Sequence, residues 1–262
     1  ALARCLALAT PLCTETIPLR HANGRVLAAP AVARLTQPPF AASAMDGYAL
    51  GRAGGKGDSF AVIGEAGAGH AFAGSLGPDQ ATRIFTGAPL PEGAITIAIQ
   101  EDVTATGTTV TLNADTKTGD NIRPRGQDFT EGQTLPAPRR LRPNDLALLA
   151  AMNIPQVTVH RRPVVALIAT GDELVMPGET PRTDQIIASN TFALAAMVEA
   201  AGGEARMLPI ARDTEADLRT VFSLTAGADL IVTIGGASVG APGDEQAPSA
   251  STEIPAMREC LK

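Results

Sequence analysis

The sequence predicts an α/β multidomain protein: a helical and extended linker segment, a small all-β module inserted into it, and a βαβ parallel-sheet domain. Gly, Thr and Val dominate residues 50–122 in short alternating runs, a pattern typical of a small β module. Residues 163–234 instead alternate strand-like and helix-like apolar patterns, which predicts a parallel sheet. A chain of 262 residues can hold two or three such domains, each with its own core.

Composition and charge exclude several classes of protein. Hydrophobic residues make up 45% of the chain and the mean hydropathy is +0.10, as expected for a globular fold. The net charge of −6 predicts no nucleic-acid partner, because binding to a phosphate backbone requires a basic surface. The sequence has no apolar run of about 18 residues and no signal-peptide pattern. We therefore expect a soluble, cytoplasmic protein with no membrane contact.

The cysteines and histidines form no pattern that indicates a metal or catalytic site. The three cysteines, Cys5, Cys13 and Cys260, include no C-x-x-C pair, which favours free thiols in a reducing compartment. The histidines are scattered, without H-x-x-x-H spacing: His21, His70 and His160. Neither a transition-metal site nor a His-based triad is predicted.

The first two parts of the chain differ in pattern. Residues 1–10 predict the end of an amphipathic helix, and residues 19–35 a short helix or turn followed by an extended arm. Thr106-Gly107, between two runs rich in Thr and Val, predicts a hairpin. We assign residues 1–40 and 123–160 to a linker and dimerisation segment and residues 41–122 to the inserted β module.

One helix is predicted after the β module. The apolar residues between 145 and 152 fit a single short helix. Pro143 is tolerated at a helix start, and Asn153 is a suitable residue to end the helix.

Residues 161–262 predict the α/β domain. Residues 164–169 are continuously apolar, as in a parallel strand buried on both faces. A helix is predicted from Ser189-Asn190 to Gly202-Gly203. Strands are predicted at 207–210 and 229–234, and Thr214-x-x-Asp217 resembles a capping box for the helix between them. This βαβαβ order predicts parallel strands with right-handed crossovers.

Acidic and glycine-rich segments follow the three predicted strands of this domain. They are Thr170-Gly171-Asp172-Glu173, Arg212-Asp213, and Gly235-Gly236-Ala237-Ser238-Val239-Gly240 with Asp244. Ligands of open α/β sheets bind beyond the carboxyl ends of the strands, so we expect these residues to lie together.

Two kinds of ligand fit these residue types. Backbone N–H groups of a glycine-rich loop can approach a phosphate or another oxyanion closely. The carboxylates can hold Mg²⁺, or they can accept hydrogen bonds from a pterin or guanine ring. The alternative is that each acid only caps the following helix. On residue chemistry alone, we predict a domain that binds an anion and a ring.

The earlier part of the chain carries three further motifs. They are Ser43-Ala-Met-Asp-Gly-Tyr-Ala49, Thr86-Gly-Ala-Pro-Leu-Pro-Glu-Gly-Ala94 and Arg123-Pro-Arg-Gly-Gln-Asp128. Asp46 could be an ordinary turn residue, since Asp before Gly is common in turns. Arg123 and Arg125 place two fixed cations near the acid Asp128.

Together with Thr170-Gly-Asp-Glu-Leu174 and Gly235-Gly-Ala-Ser-Val-Gly240, these motifs resemble the molybdopterin molybdenumtransferases in the correct order. This is the MoeA family, which is related to the E domain of gephyrin. The resemblance covers residues 1 to about 240, and five ordered motifs make it specific. The glycine loop alone is also similar to that of molybdopterin adenylyltransferases (MogA-like) and of CinA-like proteins.

The resemblance implies a reaction and its participants. Adenylylated molybdopterin and molybdate would give molybdenum cofactor and AMP in a Mg²⁺-dependent step. A homodimer is implied, with the active cleft between the α/β domain of one subunit and the β module of the other. Molybdopterin adenylyltransferase, and molybdoenzymes or their chaperones, are the other implied partners.

The family's functional residues can be assigned position by position to this sequence. The implied catalytic residues are Asp46, Thr86, Asp128, Glu173 and Asp213. The implied residues for binding the pterin nucleotide are Thr170, Gly171, Asp172, Gly235, Gly236, Ser238 and Gly240. The implied metal ligands are Glu173, Asp213 and Asp244. Arg123, Arg125 or Arg212 would guide the molybdate dianion.

The sequence departs from the family pattern in several places. Ala41-Ala42 and Ala188 stand where the family has Asp or Asn, and Asp244 lies four residues beyond Gly240 instead of three. The tail after Gly240 has no strand-like run, so we expect residues 241–262 to be atypical and the α/β domain to be truncated. Two alternatives follow: a non-catalytic molybdopterin-binding or scaffold protein, and a CinA-like hydrolase that shares only the α/β domain.

Overall fold

The computed structural model describes residues 3, 7 and 9–235. The chain divides into two compact units. The first takes its residues from Ala1–Glu15, Gly24–Val26 and Thr158–Lys262, and the second from Thr16–Asn23 and Leu27–Val157. Gly236, Ser238, Gly240, Asp244, Cys5 and Cys260 lie outside the described residues, as do most of residues 1–8. The domain boundaries at 40, 122 and 160 stay a prediction.

Most strands of the described chain are short. In chain order they are β1 (Thr14–Pro18), β2 (Val26–Leu27), β3 (Ala31–Val32), β4 (Ala42–Ser43), β5 (Gly47–Leu50), β6 (Ser59–Ala66), β7 (Gln80–Ile84), β8 (Thr96–Ile99), β9 (Val103–Thr106), β10 (Thr109–Leu112), β11 (Ile122–Arg123), β12 (Thr134–Leu135), β13 (Arg139–Arg140), β14 (Gln156–His160), β15 (Val164–Ala169), β16 (Leu174–Val175), β17 (Ile186–Ile187), β18 (Glu204–Met207) and β19 (Leu230–Ile234). The helices outside residues 1–8 are α1 (Pro143–Ala151), α2 (Asn190–Ala201) and α3 (Glu215–Ser223), with 3₁₀ turns at Leu19–His21 and Gln100–Asp102.

The second unit is built on a six-stranded sheet in the order β8-β5-β7-β6-β10-β9. Successive residues of β5 pack on two different apolar faces of the sheet. Ala49 packs with Ile84 and Ile97, and Leu50 packs with Phe60 and the residues around it. β9 and β10 form an antiparallel hairpin in which Thr106 pairs with Thr109, as Thr106-Gly107 predicts. β5 lies inside this sheet, so both of its edges are hydrogen bonded.

α1 confirms the predicted helix and extends it by two residues at its start. Pro143 is the first helical residue, and the Arg142 N–H donates to Asp145 Oδ2 at 2.9 Å. Asn153 has a φ of 61°, and the N–H groups of Asn153 and Ile154 donate to the carbonyls of Ala150 and Leu149, each at 3.0 Å. This pair of bonds is a Schellman motif, which ends the helix where the sequence predicts.

The first unit contains a parallel sheet in the order β18-β15-β19. β15 occupies the predicted residues and pairs in parallel with both neighbours, which confirms the α/β class. Its residues 165–169 are buried. The predicted strand at 207–210 is wrong, because the strand is Glu204–Met207 and Pro209 has no N–H to continue the pairing.

The caps of α2 and α3 differ in part from expectation. Thr214 accepts the Asp217 N–H at 3.3 Å, but the Asp217 carboxylate accepts the Arg212 N–H, so the capping box is only half formed. Ser189 precedes α2 without a capping side-chain bond, and Gly202 ends the helix with a φ of 98°.

No helix of residues 3, 7 and 9–235 has the length and apolar content needed to cross a bilayer.

Candidate functional site

The loops that follow the strands of the first unit meet at one edge of the parallel sheet. Thr170 bridges to Ala211, and its N–H donates to Ile234 O at 2.9 Å. The Gly171 N–H donates to Ala211 O at 3.0 Å. Gly235 lies so close to Thr170 that a methyl group on its Cα would come within 1.9 Å of Thr170 Oγ1. The ends of β15, β18 and β19 therefore converge, as the topology predicts.

We call the described residues at this edge the strand-end cluster; they are Thr170, Gly171, Asp172, Glu173, Arg212, Asp213 and Gly235. The Asp213 N–H donates to Asp172 Oδ1 at 3.2 Å, which joins the loop after β18 to the loop after β15. The side chains of Asp172, Glu173 and Asp213 are exposed.

Gly171 makes room for the carboxylate of Glu173. Its φ is 143°, and a methyl group on its Cα would lie 2.3 Å from Glu173 Oε2. Only glycine fits this position without displacing the carboxylate, because both the backbone conformation and the space exclude a side chain.

Arg212 spans the loop after β15 with one nitrogen. Its Nη1 donates to the carbonyl oxygens of Asp172 at 2.9 Å, Leu174 at 3.0 Å and Gly171 at 3.4 Å. The side chain is half-buried. Arg212 is therefore engaged with the backbone around Glu173, a role that its sequence position did not predict.

The donor chemistry of the cluster suits a hard cation, although the set is partial. Glu173 and Asp213 supply exposed carboxylate oxygens, which Mg²⁺ prefers. The third implied ligand, Asp244, is outside the described residues. Within the described part of the chain, no three His, Cys, Asp or Glu side chains are grouped closely enough to hold a metal ion.

Asp46 and Thr86 form a hydrogen-bonded pair in the second unit. Asp46 Oδ1 accepts both the Thr86 N–H and the Thr86 Oγ1 hydroxyl, each at 2.8 Å. These two bonds, helped by the charge of Arg83, hold the pKa of Asp46 below its ordinary value. The carboxylate is therefore ionised at neutral pH, and its other oxygen has no partner among the described residues.

The three motifs of the second unit come together around residues 41–46. β4 pairs with β11, so that Ser43 lies opposite Ile122. On the other side, the Gly87 N–H donates to Ser43 O at 2.8 Å and the Leu90 N–H donates to Ala41 O at 2.8 Å. The segments that begin at Ser43, Thr86 and Arg123 are thus neighbours in space.

The arginines near Asp128 are both engaged by the protein. Arg123 Nη2 donates to both carboxylate oxygens of Asp128, at 2.8 and 3.0 Å. Arg125 Nε donates to Pro39 O at 3.0 Å. Asp128 also borders a groove with Phe129 and with Leu148 of α1, and its side chain is exposed.

Arg83 belongs to this unit and was not predicted as a site residue. Its guanidinium lies 5.0 Å from the ring centroid of Tyr48 and 5.1 Å from that of Phe85. Its Nη2 donates to Gln100 Oε1 at 2.7 Å, and the Gln100 N–H donates to Asp46 O at 3.0 Å. β7 has the sequence Gln-Ala-Thr-Arg-Ile, so Arg83 is one of three polar residues in a mixed strand and no pattern distinguishes it.

Two family descriptions match consecutive parts of the chain. Residues 1–153 match the MoeA N-terminal region (domain I and II). Residues 166–247 match the probable molybdopterin binding domain.

Curated relatives and solved structures agree with these matches. The chain is 39% identical over 235 residues to a molybdopterin molybdenumtransferase of Nostoc sp., which covers 87% of this chain and 54% of the relative. It is 35% identical over 234 residues to the Haemophilus influenzae protein of the same name, covering 88% of this chain and 58% of that one. The chain spans about half the length of the curated relatives it matches.

A crystal structure of the molybdopterin biosynthesis MoeA protein of Pyrococcus horikoshii resembles this structure with a TM-score of 0.76 and 31% sequence identity. The match covers 84% of this chain and 61% of that chain.

Proposed function

The chain belongs to the MoeA family, and we propose that it acts in molybdenum cofactor biosynthesis as a molybdopterin molybdenumtransferase. In the proposed reaction, adenylylated molybdopterin and molybdate give molybdenum cofactor with release of AMP. Relatives at 35–39% identity carry that enzyme name, which favours catalysis over the non-catalytic scaffold alternative. A CinA-like hydrolase is not supported, because the family match covers residues 1–153, outside the α/β domain.

The observation that carries this proposal is the Asp46–Thr86 pair. Thr86 donates twice to one carboxylate oxygen and so keeps Asp46 ionised and fixed in orientation. The second oxygen is left to accept a proton or a hydrogen bond, or to contact a cation. A lowered pKa suits a carboxylate that acts as a fixed charge or a cation ligand, because it makes the group a weak base and leaves no proton for it to donate as a general acid.

We assign pterin-nucleotide binding to the strand-end cluster. Thr170, Gly171, Asp172 and Gly235 would contact the nucleotide, together with Gly236, Ser238 and Gly240. Glu173 and Asp213, with Asp244, would hold Mg²⁺, which when bound would neutralise phosphate charge. Asp128 completes the proposed catalytic set, in which Arg123 orients its carboxylate.

The proposed assembly is a cytoplasmic homodimer. In it, the α/β domain of one subunit and the β module of the other would form the cleft. Molybdopterin adenylyltransferase would supply the substrate, and molybdoenzymes or their chaperones would receive the product.

The test is in vitro insertion by the full chain with adenylylated molybdopterin, molybdate and Mg²⁺. AMP release and molybdenum bound to the pterin are measured for the parent and for Asp46→Ala. We expect Asp46→Ala to abolish insertion and to leave nucleotide binding largely intact, because the pair belongs to a different unit from the strand-end cluster.

A matched control is available in the same unit. Asp115 is an exposed acid that accepts a backbone N–H, from Lys56 at 2.8 Å, as Asp46 does from Thr86. Asp115→Ala should therefore insert molybdenum at the parent rate. Equal rates for Asp46→Ala and the parent would refute the role of Asp46, and a parent that binds the nucleotide without releasing AMP would support the scaffold alternative.

A further inference from the structure

We propose that Arg212 is a positioning residue for Glu173 and that it does not bind molybdate. The inference rests on the proposed function, since it concerns how the strand-end cluster is arranged for the nucleotide and Mg²⁺. Arg212 follows Ala211, whose carbonyl accepts the Gly171 N–H at 3.0 Å. It is thus anchored beside the loop that carries Glu173.

The guanidinium holds that loop through a single nitrogen. Arg212 Nη1 donates to the carbonyl oxygens of Asp172 at 2.9 Å and Leu174 at 3.0 Å, and more weakly to that of Gly171 at 3.4 Å. Asp172 and Leu174 are the two residues on either side of Glu173. The backbone on both sides of the acid therefore converges on one donor.

The backbone of Arg212 and its neighbour is fixed as well. The Arg212 N–H donates to Asp217 Oδ2 at 2.8 Å, which ties the residue to the first turn of α3. The next N–H, of Asp213, donates to Asp172 Oδ1 at 3.2 Å. Two consecutive residues thus hold the same loop, one through its side chain and one through its backbone.

Glu173 has no comparable support of its own. No N–H or O–H group of the described residues donates to its carboxylate, which lies over Gly171 and is exposed. Its place relative to Asp213 consequently depends on the backbone of residues 171–174. Residues that orient a ligand in this way commonly matter almost as much as the ligand itself.

The same bonds argue against a direct role in molybdate binding. Nη1 is engaged by three carbonyl oxygens, so a dianion could use only Nε and Nη2. The carbonyl groups beside the guanidinium also carry partial negative charge, which repels an anion. Loss of Arg212 should therefore disturb the arrangement of carboxylates before it disturbs affinity for molybdate.

The experiment compares three variants of the full chain. Arg212→Met removes the donors and keeps an unbranched side chain. Arg212→Lys keeps one donating nitrogen, which is informative because Nη1 alone makes all the side-chain bonds. Arg206→Met is the control, since Arg206 Nη1 also donates to a backbone carbonyl of this unit, that of Ala226 at 2.9 Å, outside the strand-end cluster.

The first measurement does not depend on enzyme activity. Amide hydrogen exchange of residues 171–175 is followed by mass spectrometry. We expect faster exchange in Arg212→Met, an intermediate rate in Arg212→Lys and the parent rate in Arg206→Met. Unchanged exchange in Arg212→Met would overturn the proposal, whatever the activity of the parent.

The second measurement separates positioning from anion binding. In Arg212→Met we expect kcat to fall by about 10- to 100-fold and more Mg²⁺ to be needed for half-saturation. The KM for molybdate should stay at the parent value. A raised KM for molybdate at unchanged kcat would instead identify Arg212 as a ligand and refute the proposal. If the parent itself releases no AMP, the proposed function fails, and hydrogen exchange alone decides the role of Arg212.

Discussion

At the scale of single residues, the site depends on positions where a side chain would be too large. Gly171 has a φ of 143°, and the Glu173 carboxylate occupies the space that a methyl group on the Gly171 Cα would need. Gly235 approaches Thr170 so closely that no Cβ fits. Both glycines belong to the strand-end cluster. The shape of the cluster therefore depends on the lack of a side chain at these two positions as well as on the acids.

Gly171→Ala tests this constraint. The new methyl group would meet Glu173 Oε2 at 2.3 Å, so we expect Glu173 to be displaced and the proposed Mg²⁺-dependent binding of the pterin nucleotide to weaken. Binding is measured by titration calorimetry with and without Mg²⁺. Gly178→Ala is the control, because Gly178 also has a positive φ, 96°, with nothing within 4 Å. Both substitutions should lower the free energy of unfolding by about 1–2 kcal/mol, because each places a side chain on a residue with a positive φ. Only Gly171→Ala should weaken binding of the nucleotide.

At the scale of secondary structure, α1 is stabilised by a buried acid at its first turn. Asp145 is 5% exposed and accepts bonds from Arg139 Nε at 3.0 Å and the Arg142 N–H at 2.9 Å. The bond from Arg139 holds the pKa of Asp145 below its ordinary value, and the Arg142 N–H adds to this. The carboxylate thus accepts hydrogen bonds from a backbone N–H at the helix start and from an arginine side chain.

We expect Asp145→Ala to lower the free energy of unfolding by about 1–3 kcal/mol, because it leaves the Arg142 N–H and Arg139 without their acceptor. The midpoint of urea unfolding measures the change. Asp184→Ala is a suitable comparison, since Asp184 pairs with Arg182 and both side chains are 69% exposed. Exposed pairs contribute little, so its midpoint should stay close to that of the parent. Equal losses in the two variants would contradict the role assigned to Asp145.

Some elements could be predicted from the sequence because their residues repeat a simple pattern. β15 is continuously apolar and buried, and its bounds were predicted correctly. β18 was placed too late because it lies at the edge of its sheet and carries Glu204 and Arg206, which hide its strand pattern. The apolar residues that follow it include Pro209, which cannot donate to a neighbouring strand.

The candidate site was predictable to a similar degree. Parallel topology predicts that the acids after β15 and β18 meet, and the bond from the Asp213 N–H to Asp172 joins their loops. The bonds of Thr86 to Asp46 were not predictable, since they depend on strand register across 40 residues. Pattern alone also could not show that Arg212 and Arg123 are engaged by the protein itself.

At the scale of the whole molecule, stability should depend on pH through Asp229. Arg161 makes two bonds to its carboxylate, at 2.6 and 2.7 Å, and the Val164 N–H makes a third at 2.7 Å. These bonds lower the pKa of Asp229 to about 2, and the bonds from Arg161 have the largest effect. The carboxylate therefore binds a proton less readily in the folded chain than in the unfolded chain.

A group with a lowered pKa contributes stability above its unfolded pKa, about 3.9, and loses the contribution as the pH falls towards its folded value. We expect Asp229→Asn to lower Tm at pH 7, and the difference from the parent to shrink as the pH falls from about 4 to 2. Thermal unfolding between these pH values measures it. Asp184→Asn should differ little from the parent at any pH, and a constant deficit in Asp229→Asn down to pH 2 would rule out this linkage.

The register of β5 and β7 limits how the Asp46–Thr86 pair could be transferred to another protein. Gly47 lies opposite Ile84, which places Asp46 and Thr86 at the same end of two neighbouring interior strands. The acid and its donor are separated by 40 residues and brought together by backbone pairing alone. A designer could not graft the pair as a short peptide motif. The smallest portable unit is the stretch of sheet that fixes the register, together with the strands that cover its edges.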